Sequence, residues 1–253
     1  MKKITLLSAA TAAAFALAPV AANAATPPGV NLVVKPTSST AGTKKKPKTV
    51  GFTVSTGVTG DTGDAKTKHT VTHAKIWMSK GIKLNYKAFP ECDIPDEALS
   101  VNEDWCAANA PKSKIGSGNA SADVVDAGSP EGTLIPYIGS NNRLLVQTQF
   151  NSPAVIDQPL VGKVATASGD YSYSFDFTVQ SVLQEPVVGG FVQLKEFNLK
   201  FDKKTAKVSS KKKVGLVDLV SCPKGGYKFK AEFTFRDGQT ATKETVVKCK
   251  QGK

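Results

Sequence analysis

Strict alternation of apolar and polar residues marks two segments in the C-terminal half of the chain. In residues 171–179, an apolar or aromatic series alternates with a polar one: Tyr171, Tyr173, Phe175, Phe177 and Val179 against Ser172, Ser174, Asp176 and Thr178. The same period of two returns in residues 227–235: Tyr227, Phe229, Ala231, Phe233 and Phe235 against Lys228, Lys230, Glu232 and Thr234. This period predicts β-strands with one buried face and one solvated face.

The second of these strands continues into the most definite local prediction, a β-hairpin. Asp237-Gly238 follows it and predicts a tight turn into a partner strand at Thr240–Lys248. Weaker patterns predict strands at Val30–Lys35, Thr49–Ser55, Thr70–Met78, Ser121–Val125, Arg143–Phe150 and Phe191–Phe201. The apolar phase of the last strand changes from even to odd positions, which predicts a bulge near Lys195-Glu196.

These patterns together indicate the fold class. The chain has 14 prolines and 21 glycines, which punctuate the strand patterns. One short helix is expected from Asp96 to Ala108, after Pro95. We therefore predict an all-β protein, an immunoglobulin-like two-layer sandwich stapled by disulfides. It spans residues 25–253 as one β-sandwich domain or as two halves, 25–150 and 151–253.

The first 24 residues predict export. Lys2 and Lys3 precede a mostly apolar stretch, and Ala22-Asn23-Ala24 fits the small-x-small pattern of a signal-peptidase site. The mature chain would begin at Ala25. No later stretch approaches the roughly 20 apolar residues that a membrane helix needs. We expect a secreted or extracytoplasmic protein, cleaved after Ala24, without a transmembrane span in the mature chain.

Four cysteines follow the predicted signal peptide, and an oxidising compartment favours disulfides between them. They are Cys92, Cys106, Cys222 and Cys249. Three pairings are possible, and proximity in sequence favours Cys92–Cys106 and Cys222–Cys249. A zinc site would require shorter spacing within each pair.

The chain is basic, with a formal net charge of +12, and Arg143 and Arg236 are its only arginines among 33 basic residues. Lysine lacks the bidentate geometry with which arginine reads phosphate, so no specific nucleic acid is expected. Two lysine-rich segments are candidate sites for anionic envelope polymers or lipid headgroups, and a merely solvated basic surface is the alternative. They contain Lys44, Lys45, Lys46 and Lys48, and Lys203, Lys204, Lys207, Lys211, Lys212 and Lys213.

No motif predicts a catalytic residue, a cofactor or a metal site. His69 and His73 are four residues apart on a β-prone segment, roughly 13 Å, too far for one ion, and both are expected at the surface. Trp77 and Trp105 could stack on sugars, but packing is the simpler interpretation. An acidic cluster follows Cys92 and could serve glycan hydrolysis, which uses paired carboxylates. It contains Asp93, Asp96, Glu97, Glu103 and Asp104.

Two regions around the cysteines resemble a group of uncharacterised secreted proteins of Gram-positive bacteria. One runs from Pro90-Glu91-Cys92 through Cys106 into Ser113-Lys114-Ile115-Gly116-Ser117-Gly118-Asn119-Ala120, and the other from Cys222 to Cys249. In that group the second cysteine directly precedes a proline, whereas here Ala110 occupies that place. The resemblance implies a secreted β-rich protein and a pairing of Cys92 with Cys106, but no activity.

The sequence thus favours a secreted, non-catalytic, envelope-associated protein that binds anionic cell-surface polymers through its lysine-rich loops. Two other classes stay open at this point. One is an extracellular glycan hydrolase that uses carboxylates near the first disulfide. The other is a carrier of an apolar ligand, which would need an internal cavity of roughly 300 Å³ or more.

Overall fold

The structure is a computed structural model that describes residues 28–60 and 69–252. The predicted signal peptide, residues 1–24, lies outside the described residues. The strands of the first half are β1 (Gly29–Pro36), β2 (Thr40–Ala41), β3 (Lys48–Val50), β4 (Phe52–Thr59), β5 (Val71–Ser79), β6 (Ile82–Leu84), β7 (Gly116–Val124), β8 (Glu131–Gly139) and β9 (Arg143–Phe150). Those of the second half are β10 (Ile156–Thr166), β11 (Tyr171–Thr178), β12 (Val192–Phe201), β13 (Thr205–Ser209), β14 (Lys212–Gly215), β15 (Val217–Leu219), β16 (Tyr227–Phe235), β17 (Thr240–Val247) and β18 (Lys250–Gln251).

Eleven of these strands form one antiparallel sheet that encloses the core. Its order is β1-β4-β12-β7-β8-β9-β10-β11-β5-β16-β17. Cα atoms of β1 and β17 approach within 8 Å, so the sheet curls until its first and last strands lie side by side. Strands of the two halves interleave, because β12 lies between β4 and β7, and β5 lies between β11 and β16.

The predicted all-β class is confirmed, with antiparallel pairing throughout the main sheet. The immunoglobulin-like arrangement of two sheets is not confirmed, since one hydrogen-bonded ladder forms both layers. Among the described residues, the helical content is α1 (Trp105–Asn109), α2 (Ser181–Gln184) and the 3-10 turns Tyr86–Ala88, Asp96–Ser100 and Pro111–Ser113. The predicted helix at Asp96–Ala108 is therefore a 3-10 turn followed by α1, and α2 was not predicted.

The alternating pattern of residues 227–235 produces the best-buried strand of the sheet. Every second side chain of β16 is at most 2% exposed, from Tyr227 to Phe235. The intervening residues, such as Lys230 and Glu232, are half-buried on the outer face. Burial of these aromatic side chains contributes roughly 1.5–3 kcal/mol each. The predicted turn follows, with Gly238 at φ +82°, a conformation that glycine adopts without strain.

The phase change predicted in the strand at Phe191–Phe201 is also confirmed. The register between β12 and β7 shifts between Leu194 and Glu196, where the bulge was expected. Because of the bulge, both Leu194 and Phe197 face the interior and pack against the core. A regular strand would direct these two side chains to opposite faces.

Strands β8 and β10 were not predicted, because proline interrupts both patterns. Pro159 of β10 pairs only with β9, since the ladder to β11 begins at Val161. Pro136 of β8 pairs with Val146, and the ladder to β7 ends at Leu134. Each proline thus lies where its missing N–H has no ladder partner to lose.

Shorter elements cover the two ends of the curled sheet. At one end, the small sheet β3-β15-β6 places Leu84 and Val217 beside the interior, together with Leu216, the residue before β15. At the other end, the segment that contains α2 places Val179, Leu183 and Pro186 beside it. The interior is therefore enclosed by strands around its sides and by these segments at its ends.

Both disulfides have the pairing that sequence proximity favours. Cys92–Cys106 closes a loop of 14 residues in sequence separation and lies in a second small core with Ile94, Tyr137 and Leu145. Cys222–Cys249 has a separation of 27 residues and ties the segment before β16 to the chain after β17. Each bridge therefore fastens a peripheral segment to the main sheet.

Removal of either disulfide is expected to destabilise the fold by an amount set by its loop length. In the chain-entropy model, replacing both cysteines by serine costs about 3 kcal/mol for Cys92–Cys106 and about 3.5 kcal/mol for Cys222–Cys249. Urea unfolding of both double variants measures these losses, and reduced wild-type protein serves as the control. Unchanged free energies of unfolding would contradict this account.

Alkaline pH is expected to destabilise the fold through Tyr227. Burial raises the pKa of Tyr227 to about 12, and the hydroxyl donates to the Ser221 carbonyl at 3.0 Å. Between an unfolded pKa of about 10 and this folded value, unfolding releases a proton, so stability falls as the pH rises. Urea unfolding at pH 9 and pH 11 measures the loss, and Tyr227→Phe should reduce it. An equal loss in both proteins would assign it to other groups.

Candidate functional site: a lysine surface

The two lysine-rich segments lie at the end of the molecule that the sheet β3-β15-β6 covers. Lys44, Lys45 and Lys46 form a turn, closed by a hydrogen bond from the Thr43 amide to the Lys46 carbonyl at 2.9 Å. Lys48 begins β3. The second segment runs from Lys203 to Lys213 and folds into the hairpin β13–β14.

Strand β15 brings these segments together, although about 160 residues separate them in sequence. It follows β14 directly and pairs with β3 so that Leu219 lies opposite Lys48. The amide of Gly42 donates to the Leu219 carbonyl at 3.0 Å, which holds the first lysine turn beside this strand. Cα atoms of β14 also approach those of β3 within 8 Å. We call the ten predicted lysines on these segments the lysine surface.

A buried carboxylate fastens the junction beneath the lysine surface. Asp218 is 2% exposed. Its oxygens accept hydrogen bonds from Thr49 Oγ1 at 2.7 Å, Asn85 Nδ2 at 3.0 Å and the Gly215 amide at 3.2 Å. Thr49 belongs to β3 and Gly215 to β14, so this one side chain joins both lysine segments. Hydrogen bonds to a charged group are stronger than neutral ones, which suits Asp218 to this role.

Nine of the ten lysines are exposed, and the tenth has an internal partner. Lys204 is half-buried and its ammonium donates to the Lys114 carbonyl. Within residues 28–60 and 69–252, no carboxylate lies within 4 Å of the ammonium groups of the ten. Elsewhere on the protein several lysines are paired, such as Lys195 with Asp123 at 2.8 Å. The lysine surface therefore carries uncompensated positive charge.

Like charges face one another within the hairpin. Lys207 of β13 lies directly opposite Lys213 of β14 in the register, and the neighbouring pair is Ser209 and Lys212. Like charges at directly opposed positions destabilise a strand pair. The hairpin is exposed along most of its length, so this repulsion is not offset by burial of an apolar face.

The structure adds one lysine that the sequence patterns did not single out. Lys250 lies in β18, which pairs with β2 so that Lys250 is opposite Thr40, a few residues before the first lysine turn. The Cys222–Cys249 disulfide precedes this strand and fixes its position. An isolated lysine near the C-terminus has no local pattern, and only the pairing of β18 with β2 places it here.

Three of the five acidic residues around the first disulfide have structural partners. Asp104 accepts from the Ala107 amide at 2.9 Å as the N-cap of α1, and from the Tyr137 hydroxyl at 2.7 Å. Asp93 accepts from Ser140 Oγ at 2.6 Å, and Asp96 lies 3.8 Å from the Arg143 guanidinium. These contacts give Asp93, Asp96 and Asp104 structural partners, whereas the carboxylates of Glu97 and Glu103 make no hydrogen bond or ion pair with the described residues.

The histidines and Trp77 lie apart from the lysine surface. The expectation that both histidines are at the surface was wrong for His69, which is 3% exposed with its ring 5.6 Å from that of Phe235. His73 is on the outer face and contacts Asp176 at 2.5 Å. Lys230 and Lys75 hold their ammonium groups 4.5 Å and 5.4 Å from the Trp77 ring. Trp77 is thus already partnered by cations, which does not favour sugar stacking.

The described residues contain no helix long and apolar enough to cross a membrane, and no group of three or more metal-ligating side chains. Comparisons with protein-family models, with curated proteins and with solved structures found no match. The resemblance to secreted proteins of Gram-positive bacteria therefore stays a prediction.

Asp218→Asn is expected to loosen the junction of the two lysine segments. The amide keeps the shape of the side chain but loses the charge and one acceptor, which costs about 1.5–3 kcal/mol locally. Amide hydrogen exchange should become faster at Gly215 and across β3, with no change in β16. Asp202→Asn, at an exposed position, is the control. Equal protection of both variants would show that Asp218 does not hold the junction.

Proposed function

We propose that this is a secreted, non-catalytic protein of the cell envelope that binds an anionic polymer through the lysine surface. The observation that carries the proposal is the convergence of two distant lysine segments at one end of the fold, without carboxylate partners in residues 28–60 and 69–252. Solubility requires positive charge on the surface, but it does not require that two lysine segments be held together by a buried side chain such as Asp218.

The chemistry of the surface suits a repetitive polymer better than a defined small ligand. Lysine ammonium groups are compact charges on flexible stems, and they do not require the planar geometry that arginine imposes. The opposed pair Lys207 and Lys213 gains most from an anion between its two strands, since a bound phosphate or carboxylate replaces repulsion by attraction. A polymer with one anionic group per repeat supplies such partners along the whole surface.

Export is the second part of the proposal, and the two disulfides support it. Disulfides persist in oxidising compartments outside the cytoplasm, and the chain forms both bridges with no free cysteine among the described residues. The predicted signal peptide, residues 1–24, would deliver the protein to the same compartment as the polymers of the envelope.

Three-lysine variants test the binding site directly. Lys44, Lys45 and Lys46 are changed to glutamine in one variant, and Lys211, Lys212 and Lys213 in a second. Near a dense anionic surface each lysine contributes on the order of 1 kcal/mol. Each variant should therefore bind purified anionic wall fragments roughly 100-fold more weakly in co-sedimentation, and wild-type binding should be lost between 0.05 and 0.5 M salt.

The matched control removes the same charge elsewhere, with Lys80, Lys163 and Lys243 changed to glutamine. These lysines are exposed and lie outside the lysine surface. The control should bind almost as tightly as the wild type. An equal loss of affinity in all three variants would show that only the net charge of the protein matters. Binding that does not depend on salt concentration would reject the proposal. Tighter binding to anionic vesicles than to wall fragments would point to lipid headgroups instead.

A further inference from the structure

Two apolar cavities lie end to end inside the curled sheet. The first has a volume of about 120 Å³ and lies toward the α2 end, and the second has about 100 Å³ and lies toward the sheet β3-β15-β6. Ile76, Phe177 and Phe197 line both cavities, so these three side chains form the boundary between them. Well-packed interiors contain few voids larger than a water molecule, so two adjoining voids of this size are unusual.

Several inward-facing side chains are incompletely packed because of these cavities. Ile76, Leu194 and Phe197 belong to the core but are only half-buried, and all three line the voids. Atoms that line an unfilled cavity lack dispersion contacts on the side that faces the void. A guest that fills the space would restore these contacts without rearranging the backbone.

The lining restricts the chemistry of such a guest. Among the described residues, no Asp, Glu or Lys lines either cavity, and Arg143 is the only charged residue in the lining of the second. The Arg143 guanidinium is directed to the Ser140 and Ile94 carbonyls at 3.1 and 3.2 Å. Apolar cavities of about 150 Å³ stay dry and bind small hydrocarbons. The lining therefore excludes a charged guest and favours a hydrocarbon.

One hydroxyl in the first cavity lacks a partner. Thr70 is 1% exposed, lines the first cavity, and its Oγ1 makes no hydrogen bond with the described residues. The other threonines of this lining, Thr56 and Thr148, donate to the Asn31 and Gln158 carbonyls. A buried hydroxyl without a partner is costly, and a polar group of a guest would satisfy it. The guest thus has one uncharged hydrogen-bonding group at this end.

The α2 end offers an entrance. The wall of the first cavity is completed there by connecting segments, which contribute Pro130, Pro153, Leu183 and Pro186. The α2 segment is held from outside by a 3.1 Å ion pair between Glu185 and Arg236. The residues after Pro186 and those after Pro153 expose valines next to residues that line the first cavity. They are Val155 at 67%, Val187 at 37% and Val188 at 102%.

We propose that the two cavities form one binding site for a single unbranched alkyl chain with an uncharged polar group, entered at the α2 end. The chain displaces the boundary side chains and extends from Thr70 toward β15. Its end group bonds to Thr70 Oγ1. Each cavity alone, and the two together at about 120 and 100 Å³, are smaller than the roughly 300 Å³ of a typical ligand pocket. The guest that fits is therefore a slender chain that spans both. The inference does not depend on the lysine surface.

A series of straight-chain alcohols tests whether the cavities act as one site. Methyl NMR of Ile76 and Leu194 follows titration with 1-butanol through 1-dodecanol. Affinity should rise about fourfold per methylene, the free energy of burying one methylene converted at 25 °C, and should continue to rise beyond 1-hexanol. Cyclodecanol, which is too wide, should bind at least tenfold more weakly than 1-decanol.

Three variants locate the guest. Ala122→Leu fills the first cavity and should weaken 1-decanol binding at least tenfold, whereas Ala165→Leu, the same change at an exposed position, should not. Thr70→Val should weaken 1-decanol severalfold but leave n-decane unchanged. Arg236→Gln should accelerate exchange of 1-decanol without changing its affinity. Thermal melting establishes that every variant is folded.

Each contrary result overturns a stated part of the inference. Absence of saturable shifts at both methyl groups would reduce the cavities to packing defects. An affinity that does not rise further beyond 1-hexanol would show two separate cavities. If Thr70→Val weakened the binding of 1-decanol and n-decane equally, the guest would not bond to Thr70 Oγ1. If the exchange rate of 1-decanol were unchanged in Arg236→Gln, the entrance would not lie at the α2 end. The lysine variants should bind 1-decanol normally, so failure here is distinguishable from failure of polymer binding.

Discussion

Closure of the eleven-stranded sheet is the constraint on which the rest of the structure depends. A sheet with an apolar face must cover it, and here the sheet does so by curling until β1 and β17 lie together. The inward face of β16, from Tyr227 to Phe235, then belongs to one core cluster with apolar side chains from almost every other strand. Backbone hydrogen bonds are satisfied along the ladder from β1 to β17, while the inward face remains dry.

This closure separates two kinds of surface. Strands supply the interior, where alternating side chains meet around the two cavities. The short strands and turns at one end supply the charge, because their backbones lie outside the main ladder and their side chains face water. Asp218 stands between these regions, buried like a core residue but bonded to the segments that carry the lysines. The lysines and the apolar interior are thus supported by the same sheet but formed by different residues.

The two disulfides act at the periphery of this arrangement. Cys92–Cys106 consolidates a small second core against the outer side of β8 and β9. Cys222–Cys249 fixes the chain end beside β2 and the first lysine turn. None of the four cysteines is among the buried residues of the main core cluster. Those residues are held together by packing. The disulfides therefore position the segments around the sheet, and burial stabilises the sheet itself.

Local patterns predicted those strands whose two faces differ, such as β11 and β16, the turn at Asp237-Gly238 and the bulge near Glu196. They did not predict β8 and β10, because Pro136 and Pro159 are acceptable only where a neighbouring ladder has ended, which is a property of the whole sheet. They placed His69 at the surface, since a histidine beside a strand carries no local mark of its burial against Phe235.

The sequence by itself determined the all-β class, the pairing of the cysteines favoured by proximity and the two clusters of lysine, since each depends on residues near one another in the chain. Only the tertiary structure decided that these clusters meet, that Lys250 lies near them and that the interior holds two adjoining cavities. The reason is physical. Convergence and void volume depend on strand order and on how side chains from distant strands fill the space between them, and neither is written in any local period of the chain.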